Sequence, residues 1–456
     1  MMPLMSRRSA CLFGFAALFL FVTSVAAQAP VPLSIAPQDL GRIWDAEHVS
    51  PPQPPALSHA EVVKRLEAVV QATPSLFRME KIGESVEGRA INMVEAGTGA
   101  FPVLLWSQMH GDEPTATAAL FDIFEYLRRH RDTPAVRSIL ASLKLSFIPM
   151  LNPDGAERFQ RRNAQGIDIN RDALRLQTPE GRTLKAVRDR LQPRVGFNLH
   201  NQSWRTSVGD PPKPASISLL SVAFDQPRSG SEGRTLTKKI CAVIRDALEP
   251  FASGQIGRYD DEFEVRAFGD NLTLWGTPVV LIETGPWPAA EPDPALVRLN
   301  FVAILAALDA LATGAVNRAT PERYDSLPLN ASAELYVLVS NATVINGAGV
   351  PPYVADIGIA ATRRVRDSDG QRQVQITTTI DDMGDLRTLG SLRTIDATGM
   401  TAVPLVNEKV EAGQIVDLPE WKAQQSATIA VGQPGRLMLL KPAGEPGKYQ
   451  VALVLK

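Results

Sequence analysis

Between residues 77 and 283, short apolar runs of strand length alternate with longer stretches whose apolar residues recur at helical spacing, which restricts the chain to a sheet flanked by helices. The runs cover residues 77–82, 90–95, 103–106, 143–150, 195–199 and 278–282. Helical patterns follow Ser58 (Val62, Val63, Leu66, Val69, Val70), Pro114 (Ala116, Ala119, Leu120, Ile123, Phe124, Leu127) and Thr178-Pro179 (Leu184, Val187, Leu191). Others surround Cys241 and fill residues 294–312. The expected fold class is α/β, a mixed doubly wound sheet with helices on both faces. Ligands of such sheets gather at the C-terminal ends of strands. His110, Glu113, Asn152, His200 and Glu283 each follow the end of a predicted strand.

His110 and Glu113 lie three apart in residues 106–115, WSQMHGDEPT. A catalytic zinc site takes about three His, Asp or Glu ligands and keeps one position open for water. An H-x-x-E pair by itself is equally a surface loop. With five histidines in the chain, the choice of a further ligand is narrow. His48 lies in a proline-rich segment, His59 beside a helix cap and His130 among the arginines that end the Pro114 helix, whereas His200 ends a strand. Glu283 ends another apolar run, where an unpaired buried carboxylate is costly, so it should face a positive group. Near an activated water it would serve as a general base; a sheet-edge glutamate, in solvent or paired with an arginine, is the alternative. Arg161-Arg162-Asn163 and residues 166–172, GIDINRD, contribute guanidinium forks that suit a carboxylate or a developing oxyanion. Standing alone they would read as a solvated charge run. Asn152-Pro153-Asp154-Gly155 reads as a turn, and Cys241 as a small core residue of its helix.

Taken in order, H-x-x-E, N-P-D-G, R-x-N-x-x-G-x-D-x-N-R, strand-His and E-T-G resemble the zinc metallocarboxypeptidases related to carboxypeptidase A, over residues 103–285. The resemblance implies one zinc ion per chain held by His110, Glu113 and His200, the ligand set known for carboxypeptidase A, with Glu283 as general base. It also implies that Asn170 and Arg171 hold the substrate's terminal carboxylate. For the oxyanion donor, counting back from Gly166 favours Arg161, with Arg162 adjacent as the alternative. Tyr259 is the nearest candidate for the family's tyrosine over the substrate. Asp112 is a departure, standing where the family often has an arginine, and it makes the substrate pocket harder to transfer than the zinc. The implied activity is hydrolysis of the C-terminal peptide bond of peptides. Alternatives are a zinc deacylase or amidase acting on N-acyl amino acids or cell-wall peptides, and a non-catalytic zinc-binding or carbohydrate-binding protein. Retention of Glu283 with all three ligands speaks against the last.

Arg7 and Arg8, an apolar run at about residues 10–22 and small residues at Ala26, Ala27 and Ala29 predict an export signal over residues 1–27, cleaved after Ala27 or Ala29. Export would deliver the chain to a periplasmic or extracellular compartment without stable membrane insertion, since no later segment reads as long and apolar enough to span a bilayer. Removing Arg7 and Arg8 takes the formal charge from −2 to −4, and the absence of a basic cluster argues against nucleic acid as a partner. The expected substrate is a peptide or an acylated amino acid; the oligomeric state is not legible.

An irregular N-terminal arm is expected over residues 28–57, the catalytic domain over 58–313 and a linker over 314–333. Short β runs over residues 334–456 predict a smaller β-sandwich-like domain. Within it, residues 341–347 (NATVING), 355–359 and 431–440 resemble the small β domain of the amidohydrolase superfamily. There is no room for that family's barrel and no histidine after His200, so no metal is expected there.

Overall fold

A computed structural model of the chain describes residues 30–289, 291–333, 335–346, 350–368, 371–419 and 427–456. The export signal expected over residues 1–27, with Arg7 and Arg8, and Gly347 of the 341–347 motif lie outside the described residues.

The central sheet has eight strands in the order Phe77–Glu84, Ala90–Ala96, Leu143–Ile148, Phe101–Ser107, Val195–Asn201, Val279–Thr284, Ile217–Ser221 and Ile256–Arg258. The four from Leu143–Ile148 to Val279–Thr284 run parallel, and antiparallel pairings join them to the strands on either side. Side chains alternate between faces along a strand, and the core records it. Val103 and Leu105 join a cluster with Leu120, Ile244 and Leu305, from the helices Thr115–Arg129, Glu232–Ala252 and Asp293–Thr313. Leu104 and Trp106 join a second cluster with Leu184, Val187, Phe268 and Leu272. Helices therefore cover both faces, as the alternation of patterns predicts. All six predicted strands are present; Ile217–Ser221 and Ile256–Arg258 lie beyond the predicted set.

Several segments depart from expectation. The irregular arm expected over residues 28–57 is, in its described part from residue 30, partly helical: the helix Pro37–Glu47 opens on a proline, whose fixed φ suits a first turn, and buries Leu40 and Trp44. Asp122 anchors this region by accepting from Trp44 Nε1 and from the N–H groups of Val49 and Ser50, each at 2.7 Å. Asp122→Ala strands three donors and is expected to cost about 3 kcal/mol, read as a lower urea midpoint at unchanged m-value. Residues 314–333, expected as a linker, contain the helix Pro321–Asp325 and bury Val316, Tyr324 and Leu327 against the first cluster. Asn152-Pro153-Asp154-Gly155 opens the short helix Pro153–Arg158 rather than a plain turn, with the Asn152 side chain accepting from Gly155 N at 2.9 Å. The helix Asp293–Thr313 is, by length and composition, long and apolar enough to cross a membrane, contrary to expectation. Here 78% of its apolar window is buried inside the fold.

The C-terminal region is strand-rich as predicted, and its described strands pair into one continuous eight-stranded sheet. A long hairpin, Tyr353–Ser368 with Gln371–Gly384, continues through Val337–Val344, Thr401–Pro404, Leu437–Pro442 and Lys448–Leu455 to Ile415–Asp417, and Thr394–Asp396 pairs beside Val337–Val344. This sheet belongs to the same unit as the first, spanning Val31–Lys456. Arg372 donates to the carbonyls of Leu57 at 2.9 Å and Ala156 at 2.8 Å, and Arg363 pairs with buried Asp293.

Candidate metal centre and active site

Strand register sets Glu283 directly beside His200 on neighbouring parallel strands, each within the last residues of its strand rather than after it. His110 and Glu113 come from the loop that leaves Phe101–Ser107. That loop turns at Gln108, whose φ is +50°, and the Gln108 side chain donates to Gly111 O at 3.0 Å and accepts from Thr117 Oγ1 at 3.0 Å. Gly111 passes so close to the helix Pro153–Arg158 that a Cβ would lie 2.0 Å from the Gly155 carbonyl carbon, so no other residue fits. Asn152 completes the support, donating from its backbone to Gln108 O at 2.9 Å and from Nδ2 to Met109 O at 3.3 Å. The N-P-D-G motif is thus the scaffold of the histidine loop.

Two imidazoles and one carboxylate converge above it. His110 Nδ1 lies 2.8 Å from Glu113 Oε1, His200 Nδ1 lies 2.6 Å from Glu113 Oε2, and the two Nδ1 atoms are 3.1 Å apart. All three residues are buried, with their ligand atoms within 4.8 Å of one another. Nitrogens this close share at most one proton, and the electrostatics agree. Burial pushes His200 down; for His110 the same burial is outweighed by the Glu113 and Asp168 carboxylates, which hold it up at about 9. Burial would raise Glu113, but the two histidines pull it below the usual carboxylate range. This N, N, O donor set fits zinc.

Asp168, which the sequence did not single out, lies 3.0 Å from His110 Nε2 and accepts from Arg161 Nε at 2.9 Å. Burial would raise its carboxyl, and His110 and Arg161 instead hold it low. A carboxylate on the far nitrogen of a ligating histidine orients the ring and raises its basicity. Its sequence signal was the aspartate of the G-x-D-x-N-R stretch.

Glu283 is buried, and its Oε2 has no hydrogen-bond partner among the described residues. Burial and the nearby Glu113 charge push its carboxyl well above the usual range. Arg161 Nη1 reaches to 3.2 Å from His110 Nδ1 and 3.5 Å from Glu113 Oε1. Arg162 turns outward and donates to Gly166 O at 3.1 Å, whereas Arg161 faces the cluster. Asn170 Oδ1 accepts from Phe268 N at 2.9 Å, and Arg171 donates to Asn170 O at 2.8 Å and pairs with Glu264 at 3.4 Å. Together with Tyr259 these residues line one cavity of about 320 Å3 that also holds the histidine cluster and Glu283. Burial raises the Tyr259 phenol, with Glu283 adding to the effect. Asp260, Glu262, Glu264 and Asp270 line the same cavity, and burial pushes Asp270 up to about 7. Of the residues expected at the site, Arg162 alone is outside it. His48 stacks on Trp44 at 4.1 Å, His59 Nε2 bonds Ala90 O at 2.8 Å and His130 caps its helix, so none joins the cluster.

Residues 62–216 match the zinc carboxypeptidase family model. Among curated proteins the chain is 30% identical over 118 residues to carboxypeptidase D of Anas platyrhynchos, covering 22% of this chain and 8% of that protein. It is 28% identical over 124 residues to carboxypeptidase M of Mus musculus, covering 24% of this chain and 28% of that protein. The chain thus spans well under a third of these relatives' length. A solved metallo-carboxypeptidase from Burkholderia cenocepacia superposes with a TM-score of 0.44 at 18% identity, over 56% of this chain and 70% of that one. The match contains His110, Glu113, Arg161, Asn170, Arg171 and His200 and stops before Glu283, which the sheet itself brings beside His200. Residues 62–216 therefore carry a zinc carboxypeptidase-family domain.

Proposed function

We propose that this chain, exported to a periplasmic or extracellular compartment, removes the C-terminal residue of peptides by hydrolysis. One observation carries the reading: a single cavity brings Glu283, whose buried Oε2 has no partner among the described residues, beside the His110–Glu113–His200 donor set, with Arg161, Asn170 and Arg171 in the same walls. Zinc, when held by those three ligands, supplies a Lewis acid that polarises the scissile carbonyl and lowers the pKa of water. Glu283 accepts the proton of the attacking water and returns it to the leaving amine. Arg161, fixed by Asp168, donates to the oxygen on which negative charge develops. Asn170 and Arg171 take the terminal carboxylate, for which the guanidinium fork is suited. The acidic wall containing Asp270 favours a cationic side chain on the released residue.

Profiling a mixed peptide library against a panel of N-acyl amino acids tests the assignment. Release of single C-terminal residues, lysine and arginine foremost, is the expected result; cleavage of the N-acyl amino acids alone would replace it with the deacylase reading. Arg171→Ala is expected to raise KM for free-carboxylate peptides about 30-fold with a smaller change in kcat, since a charge-assisted carboxylate contact is lost. Steady-state kinetics against the matching C-terminal amides checks this, because the amides lack the charge that Arg171 would grip.

A further inference from the structure

Two cavities meet at Asn201 and Gln202. The first is the 320 Å3 site above. The second, of about 420 Å3, takes in Asp112 and Thr284, the chain neighbours of Glu113 and Glu283, and is lined by none of Asn170, Arg171 or Tyr259. It therefore opens from the metal-ligand cluster and not from the carboxylate-binding end. Trp204 and Trp287 form its wall on the side of the central sheet, while Tyr336, Arg363 and Ile376 face them from the C-terminal region. Tyr336 stands edge-on to Trp204, with ring centroids 5.5 Å apart at 87°. Asn201 is held through Nδ2 by Thr115 Oγ1 at 2.8 Å, which leaves its Oδ1 buried without a partner among the described residues. Asp112 Oδ1 is likewise unpartnered.

Aromatic walls with unpartnered acceptors match what an extended peptide brings, namely apolar side chains and backbone N–H donors. The volume falls within the roughly 300–1,000 Å3 of built ligand sites. A peptide whose terminal carboxylate lies at Arg171 and whose scissile bond lies at the cluster must carry its preceding residues into this space. We infer that this cleft binds the two residues preceding the scissile bond, that it prefers large apolar or aromatic ones, and that the C-terminal sheet exists in part to supply its second wall. The inference rests on the carboxypeptidase reading.

The test uses the full chain with two probes, acetyl-Phe-Phe-Lys and acetyl-Gly-Gly-Lys. The wild type is expected to favour the first by at least about tenfold in kcat/KM, and Tyr336→Ala to cut that preference about tenfold, through KM. Ile376 is 44% exposed, so Ile376→Ala spares the fold; it is expected to cut the preference about threefold. Equal use of both probes by the wild type, or a preference unmoved by both variants, would overturn the cleft. Binding of acetyl-Phe-Phe-amide, followed by tryptophan fluorescence in wild type and Tyr336→Ala, separates the two readings. Binding that depends on Tyr336 without hydrolysis of either probe leaves the cleft standing and removes the peptidase; hydrolysis without such binding does the reverse.

Discussion

Glu283→Gln is expected to retain zinc at one ion per chain and to lower kcat about a thousandfold, the scale of a missing general base. The substitution keeps the shape of the side chain and its place beside His200 at the end of Val279–Thr284. It removes the only property the proposed step needs, a carboxylate able to accept a proton. Folding should not suffer. Glu283 is buried, its Oε2 has no partner among the described residues, and the Glu113 charge is close enough to push its carboxyl up, so a neutral amide relieves a cost rather than creating one. Metal analysis, a thermal melt and steady-state kinetics on the same preparation check all three statements. Near-normal turnover with zinc fully bound would remove Glu283 from the reaction and point to another proton acceptor.

The residues legible from sequence are those whose position follows from the alternation of strand and helix patterns. His110, Glu113, His200 and Glu283 all stand where an apolar run ends, and a parallel sheet gathers such ends at one edge. Asp168 was not legible because its role depends on how the loop folds back. Asn163 sets that fold by accepting from Gln165 N at 3.0 Å and Ile167 N at 3.1 Å. The same loop decides between Arg161 and Arg162, since counting residues does not say which guanidinium turns inward. The helix Pro37–Glu47 escaped because its short pattern is marginal by itself and is stabilised by burying Leu40 and Trp44 and by the Asp122 bonds. The helix Asp293–Thr313 was recognised but its depth was not: a helix buried on nearly all sides and one facing lipid carry the same composition. In the C-terminal sheet, Val337–Val344 is one continuous strand where the sequence shows only short β runs. Its register shifts between Val339 and Ala342, where Asn341 takes φ +58°. A bulge of that kind breaks the two-residue period that identifies a strand.

Zinc removal and His200→Ala are expected to act alike, and their pH dependence identifies the site. In the metal-free protein His110 is held up at about 9, because Glu113 and Asp168 outweigh burial, against an ordinary value of 6.5. A group raised in the folded state lends stability that is complete below its unfolded pKa and is lost as pH climbs through the folded one. Chelated protein should therefore lose thermal stability between pH 6.5 and pH 9. Zinc held by His110, His200 and Glu113 would take the place of that proton, and binding that displaces a proton strengthens with pH. The rise in melting temperature on adding zinc should accordingly be larger at pH 8.5 than at pH 6. Saturation at about a thousand times Kd corresponds to roughly 4 kcal/mol. In His200→Ala one of three ligands is gone, so zinc content should fall towards zero, hydrolysis should be lost, and added zinc should no longer shift the melt at either pH. Stoichiometric zinc in that variant, or a zinc-induced shift indifferent to pH in the wild type, would mean that the cation is held elsewhere and that the His110–Glu113–His200 cluster is a buried ion pair.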